Sequence, residues 1–357
     1  MYHHYFIYII KAYSKNLFFI LLGISFSITL IDYLQNATQI ANNGNQLVLY
    51  LFYTWQFRLS QFYPLAMVFA GVITYMSLVQ SHSFVSFLSF GYSKKKLFLP
   101  FILPAILIYI IFIVLQGGEF SYARERAWSI LHHTQSVRKV DNLFFKYDHT
   151  FVYVKELDPI QKILKDVTVF ELENKIVQKA LMFPIAKFNG EYWIAHNVLM
   201  VQKQYTDTGI MKGFSRQKIT NYTLLRGYKP KVIELIYEGE SLSLLDAIHT
   251  YKILKTQGLS TDKIKASFYN KVLLPLFAFA VITMLFFKAP YHARYMNKEM
   301  VWALSLGGTL VIWGILYALF SLSVGGSLSP DLALGLPIGL LVLYTFYLYI
   351  DGGEKLA

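Results

Sequence analysis

"FYPLAMVFAGVITYMSLVQSHSFVSFLSFGYSKKKLFLPFILPAILIYIIFIVLQ", residues 62 to 116, holds two apolar runs with an odd insert between them. A helix needs about 20 apolar residues to cross the hydrocarbon core of a bilayer, and Phe62–Gln80 and Leu97–Gln116 both qualify. The insert is not a plain loop. Phe84, Phe87 and Leu88 follow i, i+3, i+4 spacing, Val85 and Phe90 widen that apolar face, Gly91 can end a helix, and Lys94, Lys95 and Lys96 follow. A short amphipathic helix between two spans needs something to dock against. A helix lying on the lipid surface is the plainer alternative.

Working outward, four more runs reach spanning length: Asn16 to about Leu34, Val272 to Phe287 extended by "SFYNK", Val301 to Leu322, and Leu332 to Ile350. Pro100, Pro104, Pro275 and Pro337 fall in or near the spans, where packed neighbours can satisfy freed carbonyls. The chain is 55% hydrophobic and only 15% charged, far from a soluble domain. Most of its charges lie between Glu119 and Lys265, so apolar parts flank one water-soluble middle domain. The net charge of +12 fits basic residues beside spans and does not call for nucleic acid. The first run lacks a small-residue cleavage site and is expected to be a retained anchor.

Orientation follows from the short flanks. Lys11, Lys15, Lys94, Lys95, Lys96, Lys288, Arg294, Lys298 and Lys355 fall on one side, and only Arg58 and Lys271 on the other. The excess predicts cytoplasmic termini and a middle domain on the outer side of the membrane. In that domain "NLFFKYDHTFVYVKEL" (142–157) reads as two strands around Asp148-His149. "ILKDVTVFELENKIVQKALMFPIAKFNGEYWIAHNVLMVQ" (163–202) alternates onward, with turn signals at Glu173-Asn174 and Asn189-Gly190. Repeated short strands predict an antiparallel sandwich or barrel of jelly-roll type. A connecting helix follows, with Ser243 as N-cap, Asp246 three residues on and Gly258 as its stop. The expected divisions are 1–116 with spans one to three and the short helix at 83–90, 117–241 all-β, 242–265 connecting helix, and 266–357 with spans four to six.

Common catalytic signatures are missing. There is no G-x-x-x-x-G-K-S/T loop, no H-E-x-x-H, no G-x-S-x-G and no cysteine. The doublets His3-His4 and His132-His133 are weak metal candidates, since sequence neighbours rarely point at one ion. Asp32, Tyr33, Arg58 and Lys271 stand near the outer span ends, where cations and aromatics would suit an amphipathic anion and snorkelling is the plainer reading.

Four stretches carry a resemblance across nearly the whole chain: "SFLSFGYSKKKLFLPFILPAI" (86–106), "DNLFFKYDHTFVYVKELDP" (141–159), "IAKFNGEYWIAHNVLMV" (185–201) and "SLSLLDAIHTYKILKTQGLSTDKIKASFYNKVLLPLFAFAVITMLFF" (241–287). The chain resembles the LptF/LptG permease family of lipopolysaccharide exporters, and K-x-x-x-P at Lys271 to Pro275 looks closer to LptG. The resemblance implies a six-span permease with an inserted periplasmic β-jellyroll. It implies partnership with a second permease, an LptB-type ATPase dimer, LptC- and LptA-like bridge proteins, and lipopolysaccharide. ATP and magnesium would be bound by the ATPase and no cofactor by this chain. Ser83, Phe84, Phe87, Leu88 and Gly91 would form the ATPase-coupling helix. The chain departs from the family where Ser83 replaces an acidic residue and where Gln35 and Asn36 replace lysines of the first span, so Arg58 or Lys271 would serve phosphate recognition instead. A non-transporting anchor whose outer β domain binds envelope partners, and a membrane glycan or lipid transferase, remain as rivals.

Overall fold

A computed structural model describes residues 2–38, 40, 44–131, 140–147, 150–158, 161–173, 176–205, 211–230, 233, 242–256, 260–295 and 297–351. The expected features at His132-His133, Asp148-His149, Asn174, Gly258 and Lys355, and the side chain of His3, lie outside the described residues. Among the described residues six helices are long and apolar enough to cross a membrane: His4–Asn36, Gly44–Gln80, Lys94–Gln116, Asp262–Lys288, Lys298–Val324 and Asp331–Asp351. A six-stranded antiparallel sheet sits in the chain between the third and fourth. Residues 1–127, 243–247 and 262–357 form one compact unit, and 128–242 with 248–261 another. Residues 117–127 therefore cluster with the helices.

In the helical unit, α1 (Tyr2–Asn36) and α2 (Gly44–Gln80) are longer than the apolar runs within them. At 1.5 Å per residue each extends over about 50 Å, well beyond a hydrocarbon core of about 30 Å. They touch through polar hooks as well as apolar area. The Tyr13 hydroxyl donates to the Met67 carbonyl at 2.6 Å, and Asn16 Nδ2 donates to Thr74 Oγ1 at 2.9 Å. Gly71 lies at this approach, where a Cβ would stand in ordinary van der Waals contact, 3.4 Å from Ile282 and 3.5 Å from the Tyr13 ring. A short α3 (Ser83–Ser89) follows α2, and then α4 (Lys94–Gln116).

The fourth span is broken near Pro275 into Asp262–Val272 and Leu276–Lys288. Proline has no N–H and Leu276 N donates to Leu273 O, so the Val272 carbonyl turns outward and accepts from the Tyr109 hydroxyl at 3.0 Å. The fifth span holds a π turn at Ala303–Gly307, and the sixth opens with another at Asp331–Gly335.

The sheet runs β1 (Val140–Tyr147), β2 (Thr150–Asp158), β3 (Ile163–Glu173), β4 (Ile176–Phe188), β5 (Trp193–Tyr205) and β6 (Met211–Leu224). The inserted all-β domain is as expected. Consecutive strands pair antiparallel, so the order is β1-β2-β3-β4-β5-β6. Among the described strands that is an up-and-down order, without the long Greek-key returns of a jelly roll in the strict sense. One face packs into a core around Trp193, whose Nε1 donates to the Tyr228 carbonyl at 2.7 Å. The sheet curls, so the segment after β6 meets β1: Arg226 N donates to the Tyr147 hydroxyl at 3.1 Å, and the Tyr228 and Phe145 rings stack 6.0 Å apart.

One row of the sheet breaks the pattern. Across the row Asn142, Lys155, Asp166, Pro184, Asn197 and Thr220 every ladder keeps its register yet leaves that position unpaired, and between β4 and β5 the lapse widens to take in Phe183–Val198 and Ile185–His196. Inward alternation slips by one residue there, from Val154 to Leu157, Leu164 to Val167, Phe183 to Ala186 and Ala195 to Val198. Asn142, Asp166 and Asn197, on alternate strands, have φ of 57°, 48° and 57°. Asn and Asp enter this left-handed region more readily than other non-glycine residues.

Candidate functional site

The insert between the second and third spans is a helix with well-defined ends. His82 enters α3 with φ 56°, and Gly91, at φ 83°, closes it. Gly91 N donates to Leu88 O at 2.9 Å and Tyr92 N to Phe87 O at 3.2 Å, the paired bonds of a Schellman stop. The apolar stripe turns toward the helical unit. Phe84 is 1% exposed, with ring centroids 5.6 Å from Tyr75, 5.4 Å from Phe286 and 6.3 Å from Tyr291. Phe87 is half-buried against Tyr5 and Tyr8 of α1, and Leu88 packs at the edge of the same core. Ser83 Oγ lies 2.8 Å from Ser81 Oγ.

The surface left open is the other side of the helix. His82, Val85, Ser86, Ser89 and Phe90, with His292 from the segment after the fourth span, line a concavity of about 330 Å³. Phe90 is 72% exposed, a large ring without core contacts. The lysines are not equivalent. Lys94 lies over the Tyr291 ring at 4.6 Å, and Lys95 lies over Tyr349 at 5.3 Å while donating to the Ile350 carbonyl at 3.2 Å. Lys96 is exposed.

Arg58 lies 24 residues before His82, which is about 36 Å along helical backbone. At that end Arg58 Nη2 meets Asp32 Oδ2 at 2.5 Å and Nη1 donates to Gln61 Oε1 at 2.9 Å. Asp32 also accepts from Tyr50 at 3.2 Å and from Asn36 Nδ2 at 2.9 Å. Arg58 Nε is buried without a hydrogen-bond partner. Tyr33 is half-buried and Gln35 exposed. Lys271 is half-buried within electrostatic range of Asp246. The two cations expected to be available for an anion thus each have a carboxylate nearby.

Asp246 belongs to a second polar cluster. Ser243 caps the connecting helix α5 (Leu244–Thr256), accepting from Asp246 N at 3.1 Å, and its hydroxyl donates to Asp246 Oδ2 at 2.7 Å. The Tyr122 hydroxyl donates to the same carboxylate. Burial, with help from that acceptor, pushes the Tyr122 pKa above the ordinary tyrosine range.

In the β unit a cavity of about 570 Å³ is lined by Tyr147, Val152, Val169, Tyr192, Tyr222, Leu224 and Arg226, among others. Burial first, then the Glu171 carboxylate, raises the Tyr222 pKa. Arg226, exposed, pairs with Glu191, its Nε donating at 2.8 Å. Among the described residues no group of three or more His, Cys, Asp or Glu is placed to hold a metal ion.

The i, i+3, i+4 spacing thus marks the inward anchors of α3. His292 carries no local signal, because it reaches the concavity only through the fold. The alternation slip, and with it the line across the sheet, was legible in runs such as "VYVKEL" but easily read through as continuous strand. No curated relative matches the chain. The model of the lipopolysaccharide export system permease LptF/LptG matches residues 7–351, and the chain, a multi-pass membrane protein, belongs to that family.

Proposed function

We propose that this chain is one of two permease subunits of an ATP-driven exporter, which lifts lipopolysaccharide from the inner membrane and hands it to LptC- and LptA-like bridge proteins. The β unit is periplasmic in this reading and both termini are cytoplasmic, as the flanking lysines favour. A separate LptB-type ATPase dimer supplies the energy and binds ATP and magnesium. A ligand or partner can shift an equilibrium only by binding its states differently, so the chain needs a point where the motor's change of state is felt.

The observation that carries this reading is the seat of Phe84. A fully buried ring wedged between α2 and the second half of the fourth span ties any displacement of α3 to both. The motor would dock on the opposite side of α3, at Val85, Ser86, Ser89 and Phe90 beside His292. At the far end, the Arg58 cluster with Tyr33 and Lys271 is where an anionic headgroup would meet positive charge, in competition with Asp32 and Asp246.

The test is the complex purified with and without a charge on the exposed side. Phe90→Asp is expected to abolish co-purification of the ATPase. Phe84→Ala is expected to leave the ATPase bound while lipopolysaccharide release falls at least tenfold. Unchanged association in Phe90→Asp, or release by the isolated chain without ATP, overturns the reading.

A further inference from the structure

We infer that the line Asn142–Lys155–Asp166–Pro184–Asn197–Thr220 is a hinge running across the β unit, and that flexing about it opens and closes the 570 Å³ cavity while all six strands stay paired. The inference does not depend on the transport reading. A continuous antiparallel ladder resists bending across its strands, because each strand must then change backbone dihedrals against its own hydrogen bonds. Here the paired positions stop and resume along one row in every ladder, a lapse of one position in four ladders and of three between β4 and β5, with the register unchanged across it. A row where the pairing lapses in every ladder leaves fewer cross-strand bonds to resist that bending.

Three further observations give the line a direction and a consequence. Burial shows two outward residues in succession at the line on β2 to β6, so the core side is interrupted there and the outer side carries the extra residue. That outer side is stitched by polar pairs and not by packing. Lys155 donates to Asp166 at 3.2 Å, Lys165 to Glu156 at 2.8 Å and Tyr153 to Asn142 at 2.7 Å, while His196 Nδ1 lies 2.6 Å from Asn221 Oδ1. Three of the four pairs are exposed and Lys165–Glu156 is part-buried; pairs at the surface are weak and can re-form at a new angle.

The cavity lies between parts of the sheet on opposite sides of the line. Tyr147, Val152 and Val169 belong to one side, and Tyr222 and Leu224 of β6 to the other. The two sides are clasped where Arg226 N donates to the Tyr147 hydroxyl and Tyr147 meets the Tyr228 ring at 5.5 Å. Opening about the line would part this clasp and widen the cavity.

The chain has no cysteine, so introduced thiols can be labelled singly in the full-length protein. Nitroxides at Thr150→Cys and Thr223→Cys, in lipid nanodiscs, report the distance across the cavity by double electron–electron resonance. Glycine at Asn142, Asp166 and Asn197 together frees the line and is expected to at least double the width of the distance distribution. Glycine at Phe144, Thr168 and Leu199, on the same strands but off the line, is expected to leave it unchanged. Should the triple variant fail to fold, Asn197→Gly alone against Leu199→Gly makes the same comparison. Equal widening in both sets, or widening in neither, overturns the hinge.

Discussion

The ring of Phe84 stands edge-on to that of Tyr75, with centroids 5.6 Å apart and planes at 64°, and the Tyr75 hydroxyl donates to the Ala289 carbonyl at 2.9 Å. One tyrosine therefore holds α3 and the end of the fourth span at once. Truncating a buried phenylalanine removes apolar contact and leaves a cavity, and costs about 3–5 kcal/mol. Phe84→Ala is expected to fall in that range, and Phe87→Ala at roughly half of it because Phe87 is only half-buried. Detergent-titrated unfolding followed by tryptophan fluorescence measures both. Equal losses would contradict the placement of the two rings.

Gly91 closes α3 at φ 83°, a conformation that costs a side-chain-bearing residue on the order of 1 kcal/mol. A Cβ there would meet nothing within 4 Å, so the cost is one of backbone and not of crowding. Gly91→Ala should lower stability by about 1 kcal/mol, and Gly91→Asn by less. The expected functional sign is weaker ATPase association, read by co-purification, since the αL stop sets how Phe90 is presented.

Asp32 and Arg58 can be separated by a sign. Arg58→Ala leaves a half-buried carboxylate with only Tyr50 and Asn36, a loss of roughly 2 kcal/mol, between exposed and buried pairs. Asp32→Asn instead frees the guanidinium. If an anionic headgroup docks there, Asp32→Asn should raise the lipopolysaccharide retained per protein several-fold, and Arg58→Ala should lower it. A fall in both would assign the pair to structure alone.

Tyr122 predicts an alkaline limit. Its pKa is raised by burial and by the Asp246 acceptor, so the folded protein holds this proton more tightly than the unfolded chain. Its contribution is fully present below the unfolded tyrosine value of about 10 and is lost as pH rises beyond it. Between about pH 9 and 11 the wild type should lose more stability than Tyr122→Phe, a difference visible in thermal unfolding midpoints. Parallel curves would rule the contribution out.

Aspartate and asparagine at the sheet line should resist β-branched substitution. Asn197→Val places a branched side chain at φ 57° and is expected to cost about 2 kcal/mol, while Asn197→Gly should be close to neutral. Hydrogen exchange of the β5 amides measures the difference.

Much of the architecture could be read before any coordinates. Spans follow from apolar length, and the inserted strands follow from alternation, because both patterns are direct records of which solvent each residue meets. What eluded the sequence was direction. Phe84, Phe87 and Leu88 announce that one face of α3 is buried, yet the spacing is silent on whether the covering partner is the chain's own bundle or another protein. The start of α1 at Tyr2, well before Asn16, was hidden because "YHHYFIYIIKAYSK" is too polar for a span and only its helicity continues. The jelly-roll expectation rested on strand number and turns. Strand order depends on which neighbours pair, and here consecutive strands pair throughout.

Lys95 has a consequence for assembly. The last carbonyls of any helix lack partners of their own, and at Ile350 one of them takes the ammonium of a residue made 255 positions earlier. The closing helix of the chain therefore finds a rivet already in place, with Tyr349 as its washer. A protein truncated shortly before Tyr349 would keep most of the apolar length of the sixth span yet lose both contacts that fasten it to Lys95.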